Sequence, residues 1–463
     1  MNKYKTLLSN TLLISMGTFG SKILVFLMVR FYTGYLTPAD YSTADLITQT
    51  ANLLFPIISL GITEGVFRFA MDQNADKASV FSTGLYLIFG GSLLFFLIAP
   101  LLTLVDDFKG YVWLIAVYTI ASCLHSLCTQ YIRAIGKTKL FSIQGIINTA
   151  IVILLNIVFL AVAKIGVLGY VLSVVLADGL CTLFLAVKEK LWKQIVLKID
   201  KTLIFKMLKY SIPLIPTTVF WWITSVSDRY MVNEIIGSHA NGIYTVAYKL
   251  PTVLTLLSTM FMQAWQFSAV TEDKGDRVEL GEFYTKIWDS FQAVMFLAGS
   301  FIIGFSKLAT KILTADEYYS SWEYVPLLAI AMVFTAFTQF AGSVYVVTKK
   351  SVISFATAAL GAVINIALNF LLIPSSLGVQ GAAIATVASY LVCFFVRGIN
   401  SKKYVPYDLH FKHTLTNTLI IFIQAVIMIF EIKYWILWQA LCVLSLLVIN
   451  RKFISKGIKL IKA

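Results

Sequence analysis

The sequence predicts an all-α polytopic membrane protein of about fourteen transmembrane helices, built as two parallel six-helix repeats plus two extra C-terminal helices. Three observations lead there: an apolar composition, a regular succession of long apolar runs, and short motifs that recur about two hundred residues apart. Of 463 residues 59% are apolar and 13% charged, whereas a soluble globular chain carries about 45–50% apolar and about 25% charged residues. That contrast excludes a soluble protein. The net charge of +14 would suggest nucleic acid in a soluble chain. Here the Lys and Arg fall between apolar runs, so the charge reports topology and no nucleic-acid partner is expected.

A helix crosses about 30 Å of hydrocarbon with roughly 20 apolar residues, because lipid offers no partner to an unpaired backbone amide. Runs of this kind occupy 7–33, 42–68, 79–105, 111–133, 141–163, 167–187, 208–236, 242–270, 284–312, 323–347, 352–373, 378–397, 413–430 and 434–449. Threaded from a cytosolic N-terminus, they leave twenty-eight Lys and Arg on the cytosolic side and four outside, namely Lys109, Lys164, Lys311 and Lys433. One missed helix would destroy that bias. Both termini are therefore expected in the cytosol, with an even number of spans across the cytoplasmic (inner) membrane. The first run is too long for a signal peptide and is expected to act as its own insertion signal. All five cysteines, Cys123, Cys128, Cys181, Cys393 and Cys442, lie in or at the ends of apolar runs and read as small core residues.

Two recurrences carry the repeat. Tyr41-Ser42-Thr43-Ala44 returns as Tyr244-Thr245-Val246-Ala247, at an offset of 203, and Gly166-Val167-Leu168-Gly169 returns as Gly378-Val379-Gln380-Gly381, at an offset of 212. The second pair is preceded in each copy by a basic loop (Lys137, Lys349) and an Asn late in the intervening helix (Asn156, Asn369). Six spans separate the copies, so they share one orientation. The expected domains are an N-terminal lobe over 1–187, a cytosolic amphipathic linker over 188–207, a second lobe over 208–400, and two added helices with a basic tail over 401–463. In the linker, Leu191, Trp192, Ile195, Val196, Ile199 and Leu203 recur at helical spacing among lysines, which predicts a helix lying on the inner leaflet. A charged linker is the alternative.

Polar side chains in hydrocarbon face protein or water, so a polar stripe at helical period marks a cavity wall or a helix–helix contact. The second run carries Asp45, Gln49, Asn52, Ser59 and Thr63, with Pro56 on the same line; the offset of 203 carries that line to Tyr248, Thr252, Thr255, Thr259, Met262 and Gln266, with Gln263 beside them. Equivalent stripes in both lobes predict a central water-filled cleft. Charges within spans are costlier, about 2.5–3.5 kcal/mol each at a helix centre. Lys22 and Asp178 are expected partners near the middle of spans 1 and 6, and Arg30 stands two turns beyond Lys22. Glu64 and Arg68 are spaced to pair at the cytosolic end of span 2, and Asp228, Arg229 and Lys249 cluster on spans 7 and 8. Cationic groups in a polar cleft select an anion, because they supply charge-assisted donors to phosphate oxygens. Trp221, Trp222, Tyr244 and Tyr248 could stack on sugar faces, with ordinary packing as the alternative. Pro213 and Pro216 in span 7, with Gly17 and Gly20 in span 1, predict flexible helix entries.

No P-loop is present, since Gly136-Lys137-Thr138 lacks the earlier glycine, where Tyr131 stands, so ATP is not the expected energy source. His410 and His413 have no third ligand nearby, which argues against a metal site. Outer loops of about ten residues leave little room for the catalytic residues of a membrane enzyme, so no enzyme is expected.

The stretch from Arg30-Phe31-Tyr32 through Pro38-Ala39-Asp40-Tyr41, the later Leu60-Gly61-Ile62, and Asp228-Arg229 through Gly242-Ile243-Tyr244 resemble bacterial polysaccharide (O-antigen-type) flippases. These belong to the multidrug/oligosaccharidyl-lipid/polysaccharide exporter superfamily. The resemblance implies two six-helix lobes around a V-shaped cavity lined by spans 1, 2, 7 and 8. It also implies translocation of an undecaprenyl-pyrophosphate-linked oligosaccharide by alternating access, for O-antigen, lipopolysaccharide or capsule synthesis. By carry-over, Lys22, Arg30, Arg68, Arg229 and Lys249, with the polar Gln49, Asn52, Thr252, Thr255, Gln263 and Gln266, would bind the pyrophosphate and sugars. Asp45, Glu64, Asp178 and Asp228 would pair charges or bind a coupling ion, H+ or Na+, with no other cofactor. The expected partners are the lipid-linked substrate, membrane lipids, and glycosyltransferases and a polymerase of the same pathway. A multidrug exporter, a peptidoglycan-precursor flippase and, less favoured, an assembly enzyme are the competing readings.

Overall fold

The computed structural model describes residue 24 and residues 26–462 except 73, 105, 198–199, 272–275 and 349; the side chains of 106, 263–264, 266–271 and 454–462 also lie outside the description. Most of the first predicted run, with Gly17, Gly20 and Lys22, is outside it. All regular structure among the described residues is helical. Eleven of these helices are long and apolar enough to cross a membrane, or up to thirteen if each of two bent pairs forms one span. The protein is thus a multi-pass membrane protein. The chain divides into two compact units, one ending at Trp222 and one starting at Ile223.

In the first unit α1 (Val29–Tyr35) leads into α2 (Pro38–Ile58), whose start is fixed by Thr37: its hydroxyl accepts from the Asp40 amide at 3.2 Å, and Pro38 takes the first turn. The second predicted span is not one straight helix. Leu60 and Gly61 adopt left-handed φ values of 52° and 63°, and α3 (Ile62–Ala70) departs at 56° to α2. Next come α4 (Lys77–Ile98), α5 (Val112–Ala134), α6 (Thr138–Asn156) and α7 (Gly166–Glu189). A Cβ on Gly91 of α4 would lie 2.1 Å from the Ile58 carbonyl oxygen, so only glycine lets α4 pass the end of α2. Ile62, Val66, Ile88, Leu127, Leu185 and Met207 fill the core between these helices.

The linker is not the single amphipathic helix its pattern predicts. After α7 a short 3-10 turn covers Leu191–Gln194 and gives way to extended backbone at Ile195. The Ser82 hydroxyl donates to the Gln194 carbonyl at 2.8 Å and Tyr86 to the Val196 carbonyl at 2.9 Å, stitching the segment to α4. Asp200 then caps α8 (Lys201–Ser211), which continues through a 3-10 turn at Pro213 into α9 (Ile215–Ile235).

In the second unit α10 (Ser238–Ala247) and α11 (Thr252–Thr271) form the other bent pair, at 45°. They are followed by α12 (Arg277–Gly304), α13 (Ser306–Leu313), α14 (Val325–Val347), α15 (Ser351–Leu372) and α16 (Val379–Ser401). Trp288 of α12 packs on Phe337, Phe340 and Phe394 at centroid separations of 4.9, 5.3 and 5.7 Å. Of the two added helices, α17 (Phe411–Ile429) attaches to α12 by polar bonds and α18 (Trp435–Lys462) to α17. Ser300 donates to Gln424 at 2.7 Å, Thr414 to Gln292 at 2.9 Å, and Asn417 and Asn450 exchange amide bonds at 3.1 Å.

The repeat extends beyond the two motifs. Adding 212 or 213 residues to Ser122, Gln144, Asp178 and Cys181 gives Thr335, Thr357, Tyr390 and Cys393. The Cys181 thiol donates to the Gln144 carbonyl at 3.9 Å and the Cys393 thiol to the Thr357 carbonyl at 3.3 Å. Ser122 bonds the Asp178 carboxylate at 2.7 Å, and on the same pair of helices in the second unit Thr338 bonds the Tyr390 carbonyl at 3.2 Å. The trio α5–α7 is therefore laid out like the trio α14–α16.

Candidate functional site

In the second unit a carboxylate is caged. Asp228 of α9 is fully buried, and its Oδ2 accepts from Tyr244 at 2.7 Å, Tyr248 at 2.5 Å and Thr386 at 3.2 Å, while Oδ1 accepts from the Arg229 amide at 2.9 Å. The Arg229 guanidinium lies over the Tyr248 ring, 4.5 Å from its centroid. From Thr386 the network passes to Asn365, whose amide also reaches Ser389 at 3.3 Å, and Asn369 donates to Asn365 at 3.0 Å. Tyr244 and Tyr248, four residues apart at the end of α10, lie on one helix face and converge on Asp228. Carboxylate, hydroxyl and amide oxygens together are the donor type that suits a hard monovalent cation or a proton.

The first unit holds a different cluster. Asp178 of α7 accepts from Ser122 of α5 at 2.7 Å and from Asn148 of α6 at 3.0 Å, and its Oδ1 lies 3.0 Å from Nδ1 of His125. The other ring nitrogen of His125 lies 3.0 Å from Oε1 of the buried Gln144. Lys22 lies outside the described residues, so the expected Lys22–Asp178 pair has no counterpart here; the partner seen is His125. Sequence reasoning passed over this residue because a histidine inside an apolar run carries no formal charge. A signal was available: Ser122, His125 and Cys128 repeat at one helical turn along α5.

The polar stripe of span 2 is divided by the bend. Asp45, Pro56, Ser59 and Thr63 are buried, Gln49 is half-buried and bonds Asp45 at 3.4 Å, and Asn52 is exposed. The Gln49 carbonyl also accepts from the Trp222 indole at 3.1 Å. On the second stripe Tyr248 and Met262 are buried, Thr255 and Thr259 half-buried and Thr252 exposed, and the side chains of Gln263 and Gln266 are outside the description. Arg30, Glu64 and Arg68 are exposed. Among the described residues no ion pair joins Glu64 to Arg68, because both side chains stay solvated, where such a pair gains little. Lys249 is half-buried. Tyr244 and Tyr248, offered as stacking platforms, instead spend their hydroxyls on Asp228, and Tyr244 is fully buried.

Arg397, counted among cytosolic charges, is 3% exposed. Its Nε donates to Thr357 at 2.8 Å and its terminal nitrogens donate to the Ser354 and Thr338 carbonyls at 3.0 and 3.3 Å, tying α16 to α15 and α14. A Cβ on Gly342 would meet this guanidinium at 2.4 Å, so glycine there makes room for it.

A model of the polysaccharide biosynthesis protein family matches residues 7–266, more than half of the chain. The chain belongs to that family. The match takes in Asp45, the Asp178 cluster, and Asp228 with its Tyr244 and Tyr248 partners, while Thr386 and the buried Asp289 lie beyond it. A curated relative, the uncharacterised membrane protein MJ1375 of Methanocaldococcus jannaschii, is 23% identical over 418 residues, covering 84% of this chain and 97% of the relative. Among solved structures, the lipid II flippase MurJ in an inward closed conformation has a TM-score of 0.70 at 15% identity, covering 96% of this chain and 99% of its own. An inward-facing multidrug resistance transporter of the MATE family and MOP superfamily has a TM-score of 0.68 at 15% identity, covering 83% and 95%. At such identities the likeness is one of fold. The fold is thus the one those two transport proteins share, carried by a chain of the polysaccharide biosynthesis family.

Proposed function

We propose that this protein is a flippase that moves an undecaprenyl-pyrophosphate-linked oligosaccharide from the cytosolic to the outer leaflet of the cytoplasmic membrane by alternating access. The observation that carries the reading is the polysaccharide biosynthesis family match over 7–266. The chemistry agrees with it: Arg229, and Lys249 two residues after the tyrosine motif, are cations within spans, and cations recruit phosphate oxygens. Lys22, Arg30 and Arg68 are further proposed phosphate and sugar contacts. The Asp228 cage is the proposed seat of a coupling ion, Na+ or H+, since its oxygen donors meet in a dry site. The work is transport, with no covalent catalysis; the expected neighbours are glycosyltransferases and a polymerase, and both termini face the cytosol.

The test is depletion of the protein in cells that make a surface polysaccharide. Lipid-linked oligosaccharide is expected to accumulate on the cytosolic leaflet while its synthesis continues, and Arg229→Ala is expected to cut export about tenfold at unchanged protein level. The fold shared with a lipid II flippase makes the peptidoglycan precursor the second reading. Accumulation of that precursor alone would select it, and no leaflet imbalance of either lipid would overturn the proposal.

A further inference from the structure

The first unit places a histidine so that both ring nitrogens face acceptors. Nδ1 of His125 stands 3.0 Å from a carboxylate oxygen of Asp178, and Nε2 stands 3.0 Å from the amide oxygen of Gln144. A neutral imidazole has one N–H and one lone pair and can satisfy only one of these contacts, whereas an imidazolium satisfies both. Asp178 is itself ringed by donors: the Ser122 hydroxyl, the Asn148 amide nitrogen and His125. Two of those donors are nitrogens, which offer a hard cation no oxygen, unlike the three hydroxyls on Oδ2 of Asp228, so the cluster suits a proton.

Among the described residues the other ionisable groups around it are few. From α7 come Asp178 and the Cys181 thiol, from α6 only the neutral Gln144 and Asn148, from α2 the buried Asp45, and from α5 itself the Tyr118 hydroxyl, which feels both Asp178 and Asp45. Glu64 and Arg68 of α3 are exposed, and the Tyr86 hydroxyl of α4 is committed to the Val196 carbonyl. Asp178 is thus the group whose charge sets the state of His125. With side-chain exposures of 18% for His125 and 10% for Asp178, the pair is largely enclosed but retains access to protons.

The second unit has the same positions and none of this chemistry. Adding 212 or 213 residues turns His125 into Thr338, Asp178 into Tyr390, Asn148 into Gly361 and Gln144 into Thr357. There Thr338 donates to the Tyr390 carbonyl at 3.2 Å, and Arg397, whose charge is permanent, holds the three helices together.

We propose that His125 and Asp178 form a proton-binding site in the first unit, joining α5, α6 and α7 when loaded, with no titrating counterpart in the second. The bound proton resides on Nε2 of His125. On release it passes to water, Nδ1–H stays donated to Asp178, and the Gln144 amide rotates by about 180° to donate its N–H to the bare Nε2. Only an N–H bond breaks, and no other reactant is required. The site does not depend on which substrate is carried.

The test is nitrogen magnetic resonance of the full-length protein with labelled histidine side chains. The sequence has four histidines, and His125→Gln assigns the signals of the one in question. At neutral pH both ring nitrogens of His125 are expected to be protonated, with one transition to the neutral ring above neutrality and below about pH 9. Asp178→Asn is expected to lower the doubly protonated share at neutral pH roughly tenfold. Where that variant does not fold, Gln144→Glu keeps the shape and offers Nε2 a second carboxylate, so the ring is expected to stay doubly protonated at neutral pH. A wild-type ring with one protonated nitrogen throughout, the absence of any transition in that range, a neutral ring in Gln144→Glu, or a His125 signal indifferent to Asp178→Asn would each overturn the proposal.

Discussion

The trios α5–α7 and α14–α16 share a layout, down to a cysteine thiol bonded to a carbonyl of the neighbouring helix, yet they are fastened by opposite chemistry. The first uses a carboxylate and a histidine, whose mutual charge depends on pH; the second uses Arg397 with hydroxyls and carbonyls, whose charge does not. The second unit keeps buried carboxylates elsewhere: on α9, where two tyrosines and a threonine enclose Asp228, and on α12, where Asp289 lies 3.0 Å from Nδ1 of His410. Duplication thus conserves backbone geometry while the polar content diverges. A repeated scaffold can therefore carry one ion-responsive site per unit without the two being copies of each other.

The comparison can be broken at the Asp228 cage. Asp228→Ala leaves the Tyr244, Tyr248 and Thr386 hydroxyls buried without their acceptor, and a loss of about 3–5 kcal/mol is expected in unfolding from mixed micelles. A loss under about 1 kcal/mol would show that the cage does not organise the second unit. Next in size is Arg397→Ala, which removes three donors from a site 3% exposed and is expected to cost about 2–4 kcal/mol by the same measurement. Arg397→Lys should recover little of it, because one ammonium cannot reproduce the fork.

A finer contrast lies at the two repeat glycines. A Cβ on Gly381 would meet the Leu372 carbonyl oxygen at 2.5 Å, a backbone atom, whereas on Gly169 it would meet Phe159 Cβ and Ile165 Cγ1, both at 2.8 Å. Gly381→Ala is expected to cost about 1–3 kcal/mol and Gly169→Ala less, since side chains give way more readily than backbone. Equal costs would contradict the difference in packing. The smallest effect is at Asp76, which caps α4 through the Ala78 and Ser79 amides at 3.1 and 3.3 Å and bonds the Ser79 hydroxyl at 2.6 Å. Those bonds hold its carboxyl below the ordinary carboxylate value. A lowered value means the stabilisation is complete above about pH 4 and is lost as pH falls through the folded-state value. Asp76→Ala is expected to cost about 1 kcal/mol near neutral pH and progressively less in acid.

The spans were legible because an apolar run of bilayer length has few alternatives, and the repeat because Gly166 and Gly378 each open a helix at a φ of 52° that glycine tolerates. The bend at Leu60 and Gly61 was less so, since one glycine in an apolar run is common. Without the bend, Asn52 and Thr63 count as one stripe; with it, one is exposed and the other buried. Asp228 was legible as a costly charge, but its tyrosine partners read as aromatic platforms because spacing does not say where a hydroxyl points. His125 was missed, and Arg397 was read as a loop charge, because neither hydropathy nor charge counting records which helix a side chain meets.

The most direct test of transport compares two lipids in vesicles containing the purified protein. One is an undecaprenyl-pyrophosphate-linked oligosaccharide, and the other carries the same sugars on an uncharged linkage. The fraction of each reaching the opposite leaflet is measured with an impermeant enzyme that trims the exposed glycan. Protein-dependent transfer of the pyrophosphate-linked lipid, at least about tenfold faster than its uncharged analogue, is the predicted result. Equal transfer of both, or transfer of neither, would contradict the account.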